Sequence, residues 1–264
     1  MEQPLGKGSS DPVLAAMNVV KRFGGLAAVD DVSLGVHAGE IVGLIGPNGA
    51  GKTTMFNLLA GAERPSAGRI LVAGQSAESS APHRRIGLGL ARTFQIPRPF
   101  PEMTVVENVM LGRQKQLGEG ILPNWLRPRE VAREERATFE KAMSLIDFVT
   151  LSRLAREKAN VLSGGQRKLL ELARILMAAP SIILLDEPAA GVNPGLAEVI
   201  MDRIAEINRG GTTFFIIEHN MDLVSRLCGR VLVMAAGRVL CEGTPAEVGR
   251  DPRVVDAYLG GGSR

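Results

Sequence analysis

The chemistry of this chain concentrates in Gly46-Pro47-Asn48-Gly49-Ala50-Gly51-Lys52-Thr53. The spacing is G-x-x-x-x-G-K-[ST], which cradles phosphate when it joins a strand to a helix. Both flanks meet that condition. Glu40 to Ile45 is a short apolar run of strand type, and Thr54 to Ala60 reads as a helix that Gly61 ends. Glycines let the backbone turn tightly, so that several N–H groups point at one anion. The helix N-terminus adds partial positive charge. In such a loop Lys52 reaches the β- and γ-phosphates of a nucleotide, and the Thr53 hydroxyl ligates Mg²⁺. A glycine turn that binds nothing gains nothing from a lysine followed by a hydroxyl.

Two further strand ends carry reactive groups. Ile182-Ile183-Leu184-Leu185 has the pattern of a buried parallel strand, and Asp186-Glu187 follow at its carboxyl end. Open α/β sheets place their ligands there. Adjacent carboxylates at such a place are costly without a task. Asp186 suits a Mg²⁺ shell through water, and Glu187 suits a general base on an attacking water. Thr212 to Ile217 is another buried strand, and it runs into Glu218-His219. His219 is the histidine placed to hydrogen-bond a γ-phosphate and the water beside it; His37 and His83 fall in a turn and a polar segment. Leu162-Ser163-Gly164-Gly165-Gln166 sets a serine and glycines at a second helix N-terminus, a weaker anion-binding geometry when taken alone. Phe23 either stacks on a purine or half-buries in a turn, and the residues alone leave both open.

The elements that must position these groups can be read in order. Val13 to Val20 is strand-like, Lys21 to Gly25 a turn, and Val32 to Val36 a half-exposed strand. Arg69 to Val72 is a further strand. A short helix spans Ala81 to Leu90, and Ala91 to Phe94 is strand-like up to Gln95. Pro97, Pro99 and Pro101 make a stiff linker. Met103 to Asn160 is helical, with a capping box at Thr104–Glu107 and an amphipathic run over Arg129 to Phe148. Pro123 to Pro128 interrupts it and carries Trp125, for which packing in a loop is favoured over an exposed partner contact. Past the second glycine stretch come helices over Leu196–Asn208 and Met221–Cys228, a hairpin around Ala236-Gly237, and short helices after Thr244 and Arg253. The spacing therefore predicts a polar tail over 1–12 and one domain over 13–260. Its nucleotide-binding core is 13–96 with 181–260, and a helical subdomain over 97–180 is inserted in it.

Bulk properties agree with a folded domain. The chain has 264 residues, 45% hydrophobic and 22% charged, enough for a substantial core. Aromatics are only 4%, so that core is mainly aliphatic. The net charge of +3 comes without a basic stripe interleaved with aromatics, which argues against nucleic acid as a partner. The cysteines, Cys228 and Cys241, are too few for a disulfide framework and fit a reducing compartment. No apolar run approaches the ~18 residues of a membrane span, and the N-terminus lacks the apolar core of a signal peptide.

Taken together, the motifs resemble the ATP-binding subunit of ABC (ATP-binding cassette) transporters over Val13 to Leu259. They occur in the family's order: Walker A at 46–53, the Q-loop at Gln95, the signature at 162–166, Walker B ending in Asp186-Glu187, and the switch His219. The signature is decisive, because other phosphate-loop ATPases lack it. Within the family, Ala91-Arg92-Thr93-Phe94-Gln95, Ala189-Ala190-Gly191-Val192-Asn193-Pro194 and Asp256-Ala257-Tyr258-Leu259-Gly260 are similar to the larger ATPase subunit of branched-chain amino acid importers. Asn193 departs from the usual aspartate of the loop after Walker B.

The resemblance implies an α/β phosphate-loop NTPase core, with a RecA-like, mostly parallel sheet. An N-terminal antiparallel β subdomain and an inserted α-helical signature subdomain accompany it. It implies ATP and Mg²⁺ as ligands, with Phe23 stacking on adenine and 46–53 plus Thr54 around the phosphates. Thr53, Gln95 and Asp186 would serve the metal, and Glu187, His219 and Gln95 the hydrolysis. Ser163, Gly164, Gly165 and Gln166 would close the ATP held by a second ATPase subunit paired head to tail. Two integral membrane permease subunits and, indirectly, an extracytoplasmic solute-binding protein complete the expected partners, at the cytoplasmic face of the membrane. Other cargoes (urea, amides, lipid export) are the alternative. A soluble non-transport ABC ATPase fits less well, since the chain has one cassette and no sustained heptads.

Overall fold

The computed structural model describes residues 11–93, 99–114, 125 and 127–259. Strands β3 (Ile41–Ile45), β7 (Ile182–Asp186) and β8 (Thr213–Ile217) have every residue buried. A strand covered on both faces needs consecutive apolar residues, which these segments supply, aliphatic in β3 and β7 and with Phe214 and Phe215 in β8. With β6 (Leu90–Arg92), β9 (Arg230–Ala235) and β10 (Arg238–Gly243) they form a sheet of order β10-β9-β3-β8-β7-β6. Its pairs are parallel except β9–β10, the hairpin. A second sheet is antiparallel, of order β2-β1-β4-β5, from β1 (Leu14–Phe23), β2 (Leu26–Val36), β4 (Ala67–Val72) and β5 (Gln75–Ser76). This is the α/β phosphate-loop architecture expected from the sequence.

The expected turn over Lys21 to Gly25 needs correction. β1 continues through Phe23, which pairs with Leu26, so only Gly24-Gly25 turn. Gly24 takes φ 58, the left-handed conformation a two-residue hairpin turn requires. The helix expected over Ala81 to Leu90 is also shorter, α2 (Pro82–Gly87).

Two compact units divide the chain. The first comprises the residues through Arg92, Ser181–Glu187 and those from Ala205 onward, and it contains both sheets. Helix α1 (Lys52–Ala60) buries Met55, Phe56, Leu58 and Leu59 in it, and Phe56 stacks on Phe215 with ring centroids 6.4 Å apart. Arg85 of α2 is wholly buried, and its guanidinium donates to the carbonyls of Leu58, Leu59, Ala77 and Ser80. It thereby satisfies carbonyls at the α1 C-terminus, where the helix dipole favours a cation. Burial pushes the Arg85 pKa down to about 10. Helices α7 (Met221–Leu227), α8 (Pro245–Val248) and α9 (Pro252–Leu259) belong here as well.

The second unit is Thr93–Pro180 with Pro188–Ile204. It holds α3 (Val105–Met110), α4 (Pro128–Phe148), α5 (Gly164–Met177) and the first part of α6 (Pro194–Arg209). Its interior is aliphatic, with Val105, Val109, Ala142, Ile146, Leu169 and Leu170 buried. The capping box at Thr104–Glu107 is formed. Asn108, fully buried, accepts from the Phe100 N–H at 2.8 Å and donates to the carbonyls of Phe100, Met103 and Thr104. It pins the loop that enters α3. Trp125 is 81% exposed rather than packed in its loop. Among the described residues, no helix is long and apolar enough to cross a membrane.

Candidate functional site

β3 ends at Ile45 and α1 begins at Lys52, so residues 46–51 form the connecting loop. Two of its glycines are required sterically. A Cβ on Gly46 (φ 147) would overlap the Met234 carbonyl, and one on Gly51 (φ 95) the Ala28 carbonyl. The loop thus lies directly against β9 and β2. The hairpin turn holds it from outside: the Gly237 N–H donates to the Ala50 carbonyl at 3.1 Å. α1 has no side-chain cap bond at Gly51 and no acidic residue in its first turn. Its positive end is therefore left for an external anion.

Lys52 is only 6% exposed, and its Nζ donates to the carbonyls of Gly46 and Pro47 at 2.7 and 2.9 Å. Burial lowers its pKa, while the nearby Glu187 and Asp186 carboxylates push back. Those two charges come from the carboxyl end of β7, adjacent in the sheet to β8. Asp186 is buried, with the Arg92 guanidinium at 3.7 Å. Glu187 takes φ 48, and its N–H donates to the Ile217 carbonyl at 2.9 Å. That bond joins the ends of β7 and β8, and His219 follows two residues past β8. His219 Nε2 lies 2.7 Å from Glu187 Oε1. The first unit therefore brings together the phosphate loop, Asp186, Glu187 and His219.

The donor set suits Mg²⁺ with a nucleotide. Mg²⁺ is a hard cation held by one or two carboxylates plus substrate phosphates, and Asp186 with the exposed Thr53 hydroxyl supplies oxygen ligands. Among the described residues no group of three or more His, Cys, Asp or Glu could cage a metal alone. Phe23 is 49% exposed at the end of β1, and the Lys21 ammonium lies 4.8 Å from its ring centroid. Gln95 and Pro97 lie outside the described residues.

Ser163, Gly164, Gly165 and Gln166 belong to the second unit. Ser163 caps α5: its Oγ accepts from the Gln166 N–H at 3.3 Å, and its own N–H donates to Gln166 Oε1 at 2.9 Å. The glycines differ. A Cβ on Gly165 would overlap Leu196 of α6, whereas one on Gly164 would meet nothing within 4 Å, and Gly164 has no positive φ. Gly165 is explained by packing within the chain and Gly164 is not. Asn193 Oδ1 accepts from the Leu196 N–H at 2.9 Å, capping α6 as an aspartate would.

Sequence reasoning missed two residues at this site. Tyr258 of α9 sits with its phenolic oxygen facing the Gly46 N–H, and burial raises its pKa. Arg92 falls in a strand-like stretch that also belongs to the resemblance. Periodicity signals neither; Tyr258 stood out solely as part of the resemblance at the chain's end.

The comparisons with known proteins agree with this geometry. The ABC transporter family model matches residues 29–190. A second, the branched-chain amino acid ATP-binding cassette transporter model, matches 238–263. The chain is 40% identical over 252 residues to the high-affinity branched-chain amino acid transport ATP-binding protein LivG of Escherichia coli K12, covering 95% of this chain and 99% of that one. It is 39% identical over 251 residues to the probable LivG of Archaeoglobus fulgidus, covering 94% and 95%. A crystal structure of an ABC transporter cassette in its ADP conformation superposes with a TM-score of 0.80 at 38% identity, covering 95% of this chain and 100% of that one. Motif order, sheet topology and these likenesses converge: this chain belongs to the family of ABC transporter ATP-binding cassettes.

Proposed function

We propose that the chain is the ATP-hydrolysing subunit of an importer for branched-chain or related amino acids. The observation that carries the hydrolytic part is the His219–Glu187 contact at 2.7 Å, at the end of a strand whose Asp186 neighbours Lys52 electrostatically. The C-terminal match and the LivG relatives support the cargo class.

In this reading residues 46–54 bind the phosphates and Phe23 stacks on adenine. Lys52 exchanges its loop carbonyls for phosphate oxygens, a stronger charge-assisted contact. Thr53, Asp186 and Gln95 would hold Mg²⁺, which when bound neutralises phosphate charge. Glu187 polarises the attacking water and takes its proton, while His219 orients Glu187 and the γ-phosphate. A second ATPase subunit presents Ser163, Gly164, Gly165 and Gln166 to the same γ-phosphate. Gly164, which no contact among the described residues explains, fits an approach from outside. ATP favours the paired form and ADP does not, because only ATP offers the group both subunits grip. Two permease subunits receive the motion at the cytoplasmic face of the membrane, fed by an extracytoplasmic binding protein.

Glu187→Gln tests the hydrolytic role. It should keep ATP binding and lower single-turnover hydrolysis by about a hundredfold or more. Near-normal turnover would remove Glu187 from the role of base. Purification of the tagged chain from its own membranes should bring down two integral membrane proteins.

A further inference from the structure

We propose that Arg92 is a positioning residue that ties the Asp186 carboxylate electrostatically to the phosphate-loop helix and so sets the Mg²⁺ requirement of the site. This rests on the reading above that Asp186 serves Mg²⁺ with the nucleotide. Arg92 is the last residue of β6 and pairs in the sheet with Leu184 of β7, the strand that ends in Asp186. Its side chain is 17% exposed. One guanidinium nitrogen donates to Asn57 Oδ1 at 2.6 Å. Another lies 3.7 Å from Asp186 Oδ2. The guanidinium carbon sits 4.8 Å from the centroid of the Phe56 ring. Phe56 and Asn57 belong to α1, the helix that starts with Lys52 and Thr53. One planar group thus touches both elements that supply the Mg²⁺ ligands.

The chemistry explains why this residue type stands there. A guanidinium offers donors in a fixed fork and a face that stacks on an aromatic ring, so it can serve three neighbours at once. An ammonium cannot. A cation 3.7 Å from one oxygen of a buried carboxylate biases the orientation of that carboxylate through its charge. Partners that orient a metal ligand commonly set metal affinity without touching the metal.

Arg92→Met, Arg92→Lys and Asn57→Ala test the proposal in the full-length chain. ATP hydrolysis is measured against free Mg²⁺ at saturating ATP, with thermal stability recorded alongside. Arg92→Met should raise the Mg²⁺ concentration for half-maximal rate by about tenfold, with a much smaller loss of rate at saturating Mg²⁺. Arg92→Lys should recover stability but not the Mg²⁺ dependence, and Asn57→Ala should shift the same midpoint less. If Arg92→Met does not fold, the other two variants carry the test. A purely structural arginine would lower stability and rate at every Mg²⁺ concentration and leave the midpoint in place, which overturns the proposal. A wild-type chain without Mg²⁺-dependent hydrolysis would instead overturn the functional reading beneath it.

Discussion

Glu187 holds a left-handed backbone conformation, φ 48, at the end of a buried strand. Such a conformation costs a non-glycine residue about 1–3 kcal/mol. Its N–H bond to Ile217 keeps it there, and the result aims the carboxylate at His219. A different residue behind the phosphate loop gives a pH prediction. Cys228 packs on Gly43 of β3, where a Cβ on the glycine would lie 3.1 Å from the thiol sulfur. Burial, and secondarily the Glu218 carboxylate, push the Cys228 thiol from 9.0 up to about 12. At pH 8 its thiolate fraction is therefore about one in ten thousand, and iodoacetamide should leave it unmodified in the native protein. The unfolded chain releases this proton near pH 9 and the folded chain retains it. The stability linked to Cys228 is thus complete below pH 9 and declines as pH rises from 9.0 towards 12, at up to about 1.4 kcal/mol per pH unit. Urea unfolding at pH 8 and pH 10.5 checks this: Cys228→Ala should lose less stability between the two than the wild type. An equal loss would show that the thiol is not held protonated.

At the scale of elements, the start of α5 makes a prediction of its own. Ser163 and Gln166 close a capping box that the sequence pattern announces, since cap and N3 positions are local. Gly165 is different, because its reason lies in Leu196 of another helix. Gly165→Ala should push the Leu196 and Val192 side chains aside and destabilise the chain by about 1–3 kcal/mol. Adding Leu196→Ala should recover much of that loss, a coupling that chemical denaturation of the single and double variants measures. Additive losses would rule the contact out. The same contrast explains what could be read in advance. β3, β7 and β8 were legible because burial on both faces demands consecutive apolar residues. The carboxylates and His219 were legible because they directly follow such strands. The extension of β1 through Phe23 was not, since Lys21-Arg22-Phe23 carries no strand periodicity and pairs only because Gly24-Gly25 suffice for the turn. Arg92 and Tyr258 were illegible as site residues. Their partners, Asp186 and Gly46, are set by strand order and by the return of α9 to the phosphate loop.

For the molecule as a whole, the question is what completes the nucleotide site. The first unit supplies the phosphate loop, Asp186, Glu187 and His219, and the second supplies a glycine-led helix start with open space at Gly164. In the proposed cycle each copy lends its helix start to the ATP of the other, so pairing requires an intact γ-phosphate. Glu187→Gln, expected to bind ATP without consuming it, should then convert from monomer to dimer when Mg²⁺ and ATP are added, and should remain monomeric with ADP. Gly164→Arg adds a long cation at an exposed position where a Cβ would meet nothing within 4 Å among the described residues, so it should fold and bind ATP normally. Combined with Glu187→Gln it should abolish the dimer, because the space free in one copy is the space the other copy's nucleotide must occupy. Sedimentation velocity with each nucleotide, beside a binding titration with a fluorescent ATP analogue, separates the two effects. A Glu187→Gln chain that binds ATP tightly yet sediments as a monomer throughout would overturn pairing between copies of this chain. A Gly164→Arg double variant that still dimerises would overturn the assignment of the helix start to the partner's ATP.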